Sequence, residues 1–258
     1  MIDLHCHILP GLDDGAATDE QAIAMARLAV QDGITAIIAT PHHRDGEYDN
    51  EQAVVRQGVE RFNELLREHE IPLCIFPGQE IRCYDALADD LNANGKIQTL
   101  NDSRYLLLEF PPDEVPREAG EVMHELFVAG LVPVIAHPER NKAISQRPEL
   151  LLDMVESGAL AQVTSHSLIG KFGRKVQQTA VELCRRHLIH VVASDAHSVA
   201  GRPFHMKEAM RTVRRTLGES YEAYYLQNAQ CIFQNEQVER LTPKTEKWKF
   251  ISKMFKWV

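Results

Sequence analysis

Short apolar runs recur along the chain, and each is followed by a stretch with helical spacing. The runs are Ile2–Leu4, Ile34–Ala39, Leu73–Phe76, Tyr105–Leu108, Val132–Ala136, Leu160–Val163 and Ile189–Ala193. They are β-branched or leucine-rich and nearly continuous, the pattern of parallel strands buried on both faces. Amphipathic helices are predicted between them. Thr18-x-x-Gln21 reads as a capping box opening the first, with Ile23, Ala26 and Val30 lining one face. Further helices are predicted over Asn50–His69, Asp85–Asn94, Arg117–Ala129, Pro148–Glu156, Phe172–Arg186 and His205–Leu217. Gly33, Gly130 and Gly158 each stand just before a strand, where glycine ends a helix in the left-handed conformation. No internal repeat or low-complexity linker interrupts the pattern. About seven β-α units in 258 residues predict one α/β barrel spanning residues 1–240, not two domains.

Composition narrows the classes. Apolar residues make up 44% of the chain, enough for a sizeable core, and the formal net charge of −9 argues against a nucleic-acid binder. The five cysteines are scattered, with no CxxC pair, which fits a reducing cytosol. None has an arginine six positions on, so the Cys-x5-Arg loop of thiolate phosphatases is missing. No apolar stretch is long enough to span a bilayer, and the first strand begins so near Met1 that no removable leader is expected.

The polar residues fall at the strand ends. His5 and His7 frame Cys6, and residues two apart on an extended segment project to one face. A Pro10-Gly11 turn can then bring Asp13 or Asp14 back beside them. His42 follows the second strand, Glu80 the third, Glu109 ends the fourth, His137 the fifth, and Asp195 and His197 the seventh. One such residue is more often structural or solvated. Six strands ending this way point to a metal centre, because all these ends open on the catalytic face of an α/β barrel. Mixed imidazole and carboxylate donors suit transition metals. His5, His7, Asp14, His42, Glu80, Glu109, His137, Asp195 and His197 are more donors than one ion uses, so two or three ions are expected. Arg140 and Arg202 stand beside the donors and offer planar forks for phosphate oxygens. Clustered divalent ions with arginines read as a phosphoesterase.

These motifs, His5-Cys6-His7, Asp13-Asp14-Gly15, Thr40-Pro41-His42-His43, Gly78-Gln79-Glu80, His137-Pro138-Glu139-Arg140 and Ser194-Asp195-Ala196-His197, resemble the PHP (polymerase and histidinol phosphatase) superfamily. Within it the chain resembles the bacterial metal-dependent protein-tyrosine phosphatases of capsular and exopolysaccharide operons. The resemblance implies a distorted (β/α)7 barrel with a trinuclear, manganese-supported site, in which iron, zinc, cobalt or magnesium are substitutes. It assigns His5, His7, Glu80 and Asp195 to one ion, Glu80, Glu109 and His137 to a second, and Asp14, His42 and His197 to a third. It implies that Arg140 and Arg202 bind the substrate phosphate. It further implies attack on phosphorus by a metal-bridging hydroxide, without a phosphoenzyme. The expected substrate is phosphotyrosine on the tail of a cognate bacterial tyrosine kinase. Two alternatives remain: a PHP hydrolase of a small phosphate monoester such as histidinol phosphate, and a non-catalytic metal-bearing regulatory binding protein.

Other residues carry weaker expectations. His43 is a candidate to protonate the leaving group, although a supporting role is the simpler reading. His166 can touch substrate but is not expected to bind metal. Lys171, Arg174 and Lys175 form a small basic patch. Residues 241–258 read as a basic amphipathic tail: Lys249, Lys253 and Lys256 fall on one side and Ile251, Met254, Phe255 and Val258 on the other. Such a tail over 244–258 fits either the anionic inner membrane face or packing on the barrel or a second subunit. The sequence places the protein in the cytoplasm and leaves self-association open.

Overall fold

The computed structural model describes residues 1–92 and 95–244. Its strands are β1 (Ile2–Cys6), β2 (Ala36–Ala39), β3 (His42–His43), β4 (Cys74–Pro77), β5 (Glu80–Arg82), β6 (Tyr105–Glu109), β7 (Val132–Ala136), β8 (Leu160–Thr164) and β9 (Val191–Ala193). All the strand pairings are parallel. One sheet runs β1-β2-β4 and the other β3-β5-β6-β7-β8-β9. β2 and β3 are two halves of one strand interrupted at Thr40-Pro41. β4 and β5 are likewise interrupted at Gly78-Gln79. Proline has no N–H for a ladder, and Gly78 stands where a Cβ would come within 2.6 Å of the Ile38 side chain. Counting each broken strand once leaves seven barrel strands among the described residues.

Closure comes from β1 and the segment after β9. His5 O accepts from Asp195 N–H at 2.8 Å, and His7 N–H donates to Ala196 O at 2.9 Å. The buried Asp3 carboxylate accepts from Ser194 N–H at 2.8 Å and from the Ser194 hydroxyl. A distorted seven-stranded (β/α) barrel results, as expected.

The helices are α1 (Asp19–Gln31), α2 (Gln52–Glu68), α3 (Leu87–Asn92), α4 (Ala119–Val128), α5 (Lys142–Gln146), α6 (Glu149–Glu156), α7 (Ser165–Leu168), α8 (Arg174–Arg185), α9 (Met206–Thr216) and α10 (Glu219–Phe233). At the start of α1 the Thr18 side chain accepts from Gln21 N–H, and Gln21 Oε1 accepts from Ala17 N–H one residue earlier than a strict capping box. The buried face of α1 is Ala22, Met25, Ala26 and Ala29. Ile23 and Val30, expected on that face, are only partly buried. After α1, Gly33 adopts φ +83° and lets Ile34 N–H return to Ala29 O at 2.9 Å.

Two apolar clusters hold the fold. Leu4, Ile38, Leu107, Val134, Leu160 and Val191 come from six different strands yet share one cluster with Ala229 and Ile232 of α10. Only the barrel interior lets six strands meet, so this cluster is the inner plug and α10 lies under it. The residues two further along β6 and β8 are Glu109 and Gln162. Period-two alternation puts them on the same inward face, one layer above the plug. The second, larger cluster joins Leu106, Leu108, Ile135, Val163 and Val192 to the surrounding helices. The barrel is therefore apolar at its base and polar at its carboxyl-terminal mouth.

No helix among the described residues is long and apolar enough to cross a membrane. Of the amphipathic tail expected over 241–258, residues 245–258 lie outside the described residues. The stretch before them is tied to the barrel: Lys244 N–H donates to Arg186 O at 2.9 Å, and His187 Nδ1 lies 2.8 Å from Thr242 O. Asn94, the last residue of the predicted Asp85–Asn94 helix, also lies outside the described residues.

Candidate metal centre

The mouth of the barrel brings together all nine donors expected from the sequence. His5 lies within β1, not after it, and His7 follows it. His5 Nε2 lies 3.1 Å from His7 Nε2, 3.2 Å from Glu80 Oε2 and 3.4 Å from Asp195 Oδ1. His7 Nε2 lies 3.3 Å from Glu80 Oε2 and 3.5 Å from Asp195 Oδ1. His137 Nε2 lies 2.7 Å from Glu80 Oε1 and 3.6 Å from Glu109 Oε1. Asp14 Oδ1 lies 3.2 Å from His197 Nε2 and 3.6 Å from His42 Nε2. His42 Nδ1 in turn lies 3.2 Å from Glu80 Oε2.

Three groups have donor atoms all within 4.8 Å of one another: His5, His7 and Glu80; His7, Asp14, His42 and His197; and His42, Glu80 and Glu109. They overlap more than the threefold assignment implied by the resemblance. His7 reaches the Asp14 group as well as its own, and His42 reaches the Glu109 group. Glu80 stands at the centre.

Neighbouring acceptors fix several imidazoles. His5 Nδ1 faces Gln162 Oε1 at 3.1 Å, and the same oxygen faces the backbone N–H of His137, which identifies it as the amide oxygen. His7 Nδ1 faces Asp13 Oδ2 at 2.6 Å, and His197 Nδ1 faces the Asp195 carbonyl at 3.0 Å. All three partners only accept, so each Nδ1 carries a proton and Nε2 is the nitrogen turned to the cluster. The two adjacent aspartates are placed differently. Asp13 orients His7 and accepts from Gly15 and His42 N–H. Asp14, half exposed, faces the cluster beside His42 and His197.

The chemistry of this set fits bound cations. The Nε2 atoms of His5 and His7, 3.1 Å apart and both facing Glu80 and Asp195, have the spacing of imidazoles that share a cation. Burial and the nearby Glu80 push Glu109 up to about 8, so a carboxylate there requires added positive charge. Burial alone would also raise Glu80 and Asp195. Imidazoles around both, and arginines beside Asp195, instead hold them well below the usual carboxylate range. Burial holds His137 and His197 down to about 4, leaving them neutral and able to ligate. His137 and Asp195 also adopt φ +32° and +53°. Left-handed backbone at non-glycine residues is uncommon and concentrates at functional sites.

Asp195 divides its oxygens. Oδ1 faces His5 and His7, while Oδ2 accepts from Arg140 Nη1 and Arg202 Nη2. Both expected arginines therefore border the donor cluster. Arg202 Nη1 also lies 3.0 Å from His197 Nε2. A cavity of about 130 Å³ opens beside Arg140, which lines it with Glu109, Phe110, Pro112, His137 and Pro138. His43, next to His42, is turned to the other face of its strand and pairs with Asp49 at 3.1 Å. His166 is buried against Phe172 and His205 and joins none of the donor groups.

The sequence reading missed several residues that shape the site. Gln162 was legible only as a polar interruption inside the apolar run Leu160–Val163. Arg82, whose Nη2 lies 2.9 Å from Glu109 Oε2, shares the face of Glu80 two residues away. Phe172, against both arginines, gave no signal in the sequence.

Comparison with known proteins gives the chain's family and matches its fold. Residues 1–234 match the family described as capsular polysaccharide synthesis, CpsB/CapC. The chain is 46% identical over 247 residues to the tyrosine-protein phosphatase YwqE of Bacillus subtilis, covering 96% of this chain and 97% of that one. It is 38% identical to the putative tyrosine-protein phosphatase CapC of Staphylococcus aureus, covering 96% and 98% of the two chains. A crystal structure from work on YwqE and Streptococcus pneumoniae CpsB, described as unique metal-dependent tyrosine phosphatases, superposes with a TM-score of 0.93. It is 45% identical and covers 96% of this chain and 100% of that one. The chain belongs to the CpsB/CapC family of capsular polysaccharide synthesis proteins.

Proposed function

We propose that this chain is a metal-dependent protein-tyrosine phosphatase that removes phosphate from a cognate bacterial tyrosine kinase and so regulates capsule or exopolysaccharide synthesis. The observation that carries the reading is the division of Asp195, with one oxygen among metal-type donors and the other on two arginines. Cation-binding and phosphate-binding chemistry thus meet at one carboxylate. The nine donors are proposed to hold manganese, three ions per chain, with Glu80 shared between groups. When bound, such ions lower the pKa of water and neutralise phosphoryl oxygens.

The chain's own residues supply the rest. Arg140 and Arg202 clamp the phosphate and orient phosphorus toward the donor cluster. Asp13 and Gln162 keep Nε2 of His7 and of His5 aimed inward. No thiol is placed to act as nucleophile. Burial pushes Cys83 and Cys184 up to about 12 and raises Cys6 well above the ordinary thiol value. The Cys6 sulfur is spent on the Ala196 carbonyl. The proposal takes hydrolysis to be direct, without a phosphoenzyme.

The kinase substrate, the cytoplasmic location and contact of 244–258 with the inner membrane face belong to the same proposal. Manganese-loaded protein assayed with phosphotyrosine peptide, phosphoserine peptide and histidinol phosphate tests the substrate class. Preference for phosphotyrosine is expected. Preference for histidinol phosphate would move the chain to small-metabolite hydrolysis, and release from none would support a binding role. Vesicle sedimentation of the full chain against one ending at Gln237 tests the membrane contact, and equal binding would refute it.

A further inference from the structure

Phe172 sits in the turn between α7 and α8, flanked by Gly170 and Gly173 at φ +82° and +91°. Its ring is the common neighbour of both arginines. The Arg140 guanidinium carbon lies 5.4 Å from the ring centroid and that of Arg202 lies 5.9 Å away. His166 stacks on the ring at 5.4 Å and 25°. Burial, with His205 and Arg202 beside it, holds His166 down to about 4, so the ring's support adds no positive charge.

Two guanidiniums that share one oxygen of Asp195 repel each other. Among the described residues the Arg140 guanidinium hydrogen-bonds that carboxylate oxygen alone, whereas Arg202 is also steadied by His197 Nε2 at 3.0 Å. An aromatic face carries partial negative charge and attracts both. We propose that Phe172 is a positioning residue that presents Arg140 and Arg202 as one preassembled phosphate clamp. The proposal rests on the phosphate-binding reading of those arginines. Its consequence is specific. Losing the ring's π face weakens binding of the phosphate group itself, and leaves the donor cluster, which Phe172 does not touch, intact.

Calorimetric titration of the manganese-loaded full chain with inorganic phosphate tests this. Phe172→Leu and Phe172→Met keep apolar bulk and remove the π face, and each is expected to weaken phosphate binding by about 5- to 30-fold. Phe172→Tyr keeps the face and is expected to bind phosphate within about threefold of the parent chain. Manganese content is expected to be unchanged in all three. In turnover, the Leu and Met variants raise KM more than they lower kcat. The proposal is overturned if both non-aromatic variants bind phosphate as the parent does. It is overturned equally if Phe172→Tyr is as weak as they are, or if manganese is lost in parallel. Arg140→Ala and Arg202→Ala serve as the reference. Normal phosphate binding in both would remove the clamp and Phe172's role with it, whereas weakening there but not in the Phe172 variants would remove Phe172 alone.

Discussion

Asp13 Oδ2 lies 2.6 Å from His7 Nδ1, and the next residue, Asp14, faces away from that nitrogen toward His42 and His197. Adjacent aspartates thus face different partners, and the proposed centre gives them different tasks, Asp13 orienting His7 and Asp14 serving as a donor. Asp13→Ala is expected to lower metal affinity by about 10- to 100-fold, the usual cost of losing a group that orients a ligating histidine. Metal titration followed by elemental analysis checks it, and wild-type affinity would contradict the role.

Gly15 closes the acidic turn against the backbone of His7. A Cβ there would fall 2.0 Å from the His7 carbonyl oxygen. Gly15→Ala must therefore move either the aspartate turn or the His7 strand. The expected cost is about 1–3 kcal/mol in urea unfolding, with reduced metal content. Unchanged stability and metal content together would show that the turn is not packed as described.

Arg202 touches Asp195 and His197 but supplies no donor atom to the cation groups. Arg202→Ala is expected to raise KM for a phosphotyrosine peptide by about 10- to 100-fold through lost charge-assisted hydrogen bonds, with metal content near normal. Large metal loss would refute a phosphate role. Asp195→Ala removes both of that residue's attachments and is expected to abolish turnover.

His190 offers a pH prediction remote from the mouth. Its Nδ1 accepts from Ala161 N–H at 3.1 Å, and burial, with Arg240 nearby, holds it down to about 3. The unfolded chain protonates this group near its ordinary value of about 6.5. Between those values the unfolded state binds more protons, so stability falls as pH drops below about 6.5, by up to about 1.4 kcal/mol per pH unit. His190→Asn keeps an acceptor without the titration. Urea unfolding of the metal-free protein between pH 5 and 7 is expected to show a shallower decline in the variant. Parallel slopes would contradict this.

The barrel was legible because parallel strands buried on both faces leave continuous apolar runs, and all seven runs became strands. α10 was not. It lies under the barrel with Tyr224, Tyr225, Asn228, Ala229, Cys231 and Ile232 buried, a broad mixed face without the narrow apolar stripe that marks a surface helix. That the proposed donors would meet at one mouth was legible because strand ends carry chemistry in such barrels. Their orienting partners were not, because they depend on register. Gln162 reaches His5 across 157 positions of sequence, and Asp13 differs from Asp14 only in the path of the turn. Phe172 looks like any apolar residue near a helix start until the chain folds it against two arginines distant in sequence.

The central claim is that this mouth gathers several cations around a phosphate clamp. Elemental analysis of protein saturated with manganese and then freed of excess metal tests it most directly. The account predicts close to three ions per chain, with phosphotyrosine hydrolysis lost when a chelator strips them. No more than one ion per chain at saturation would contradict it.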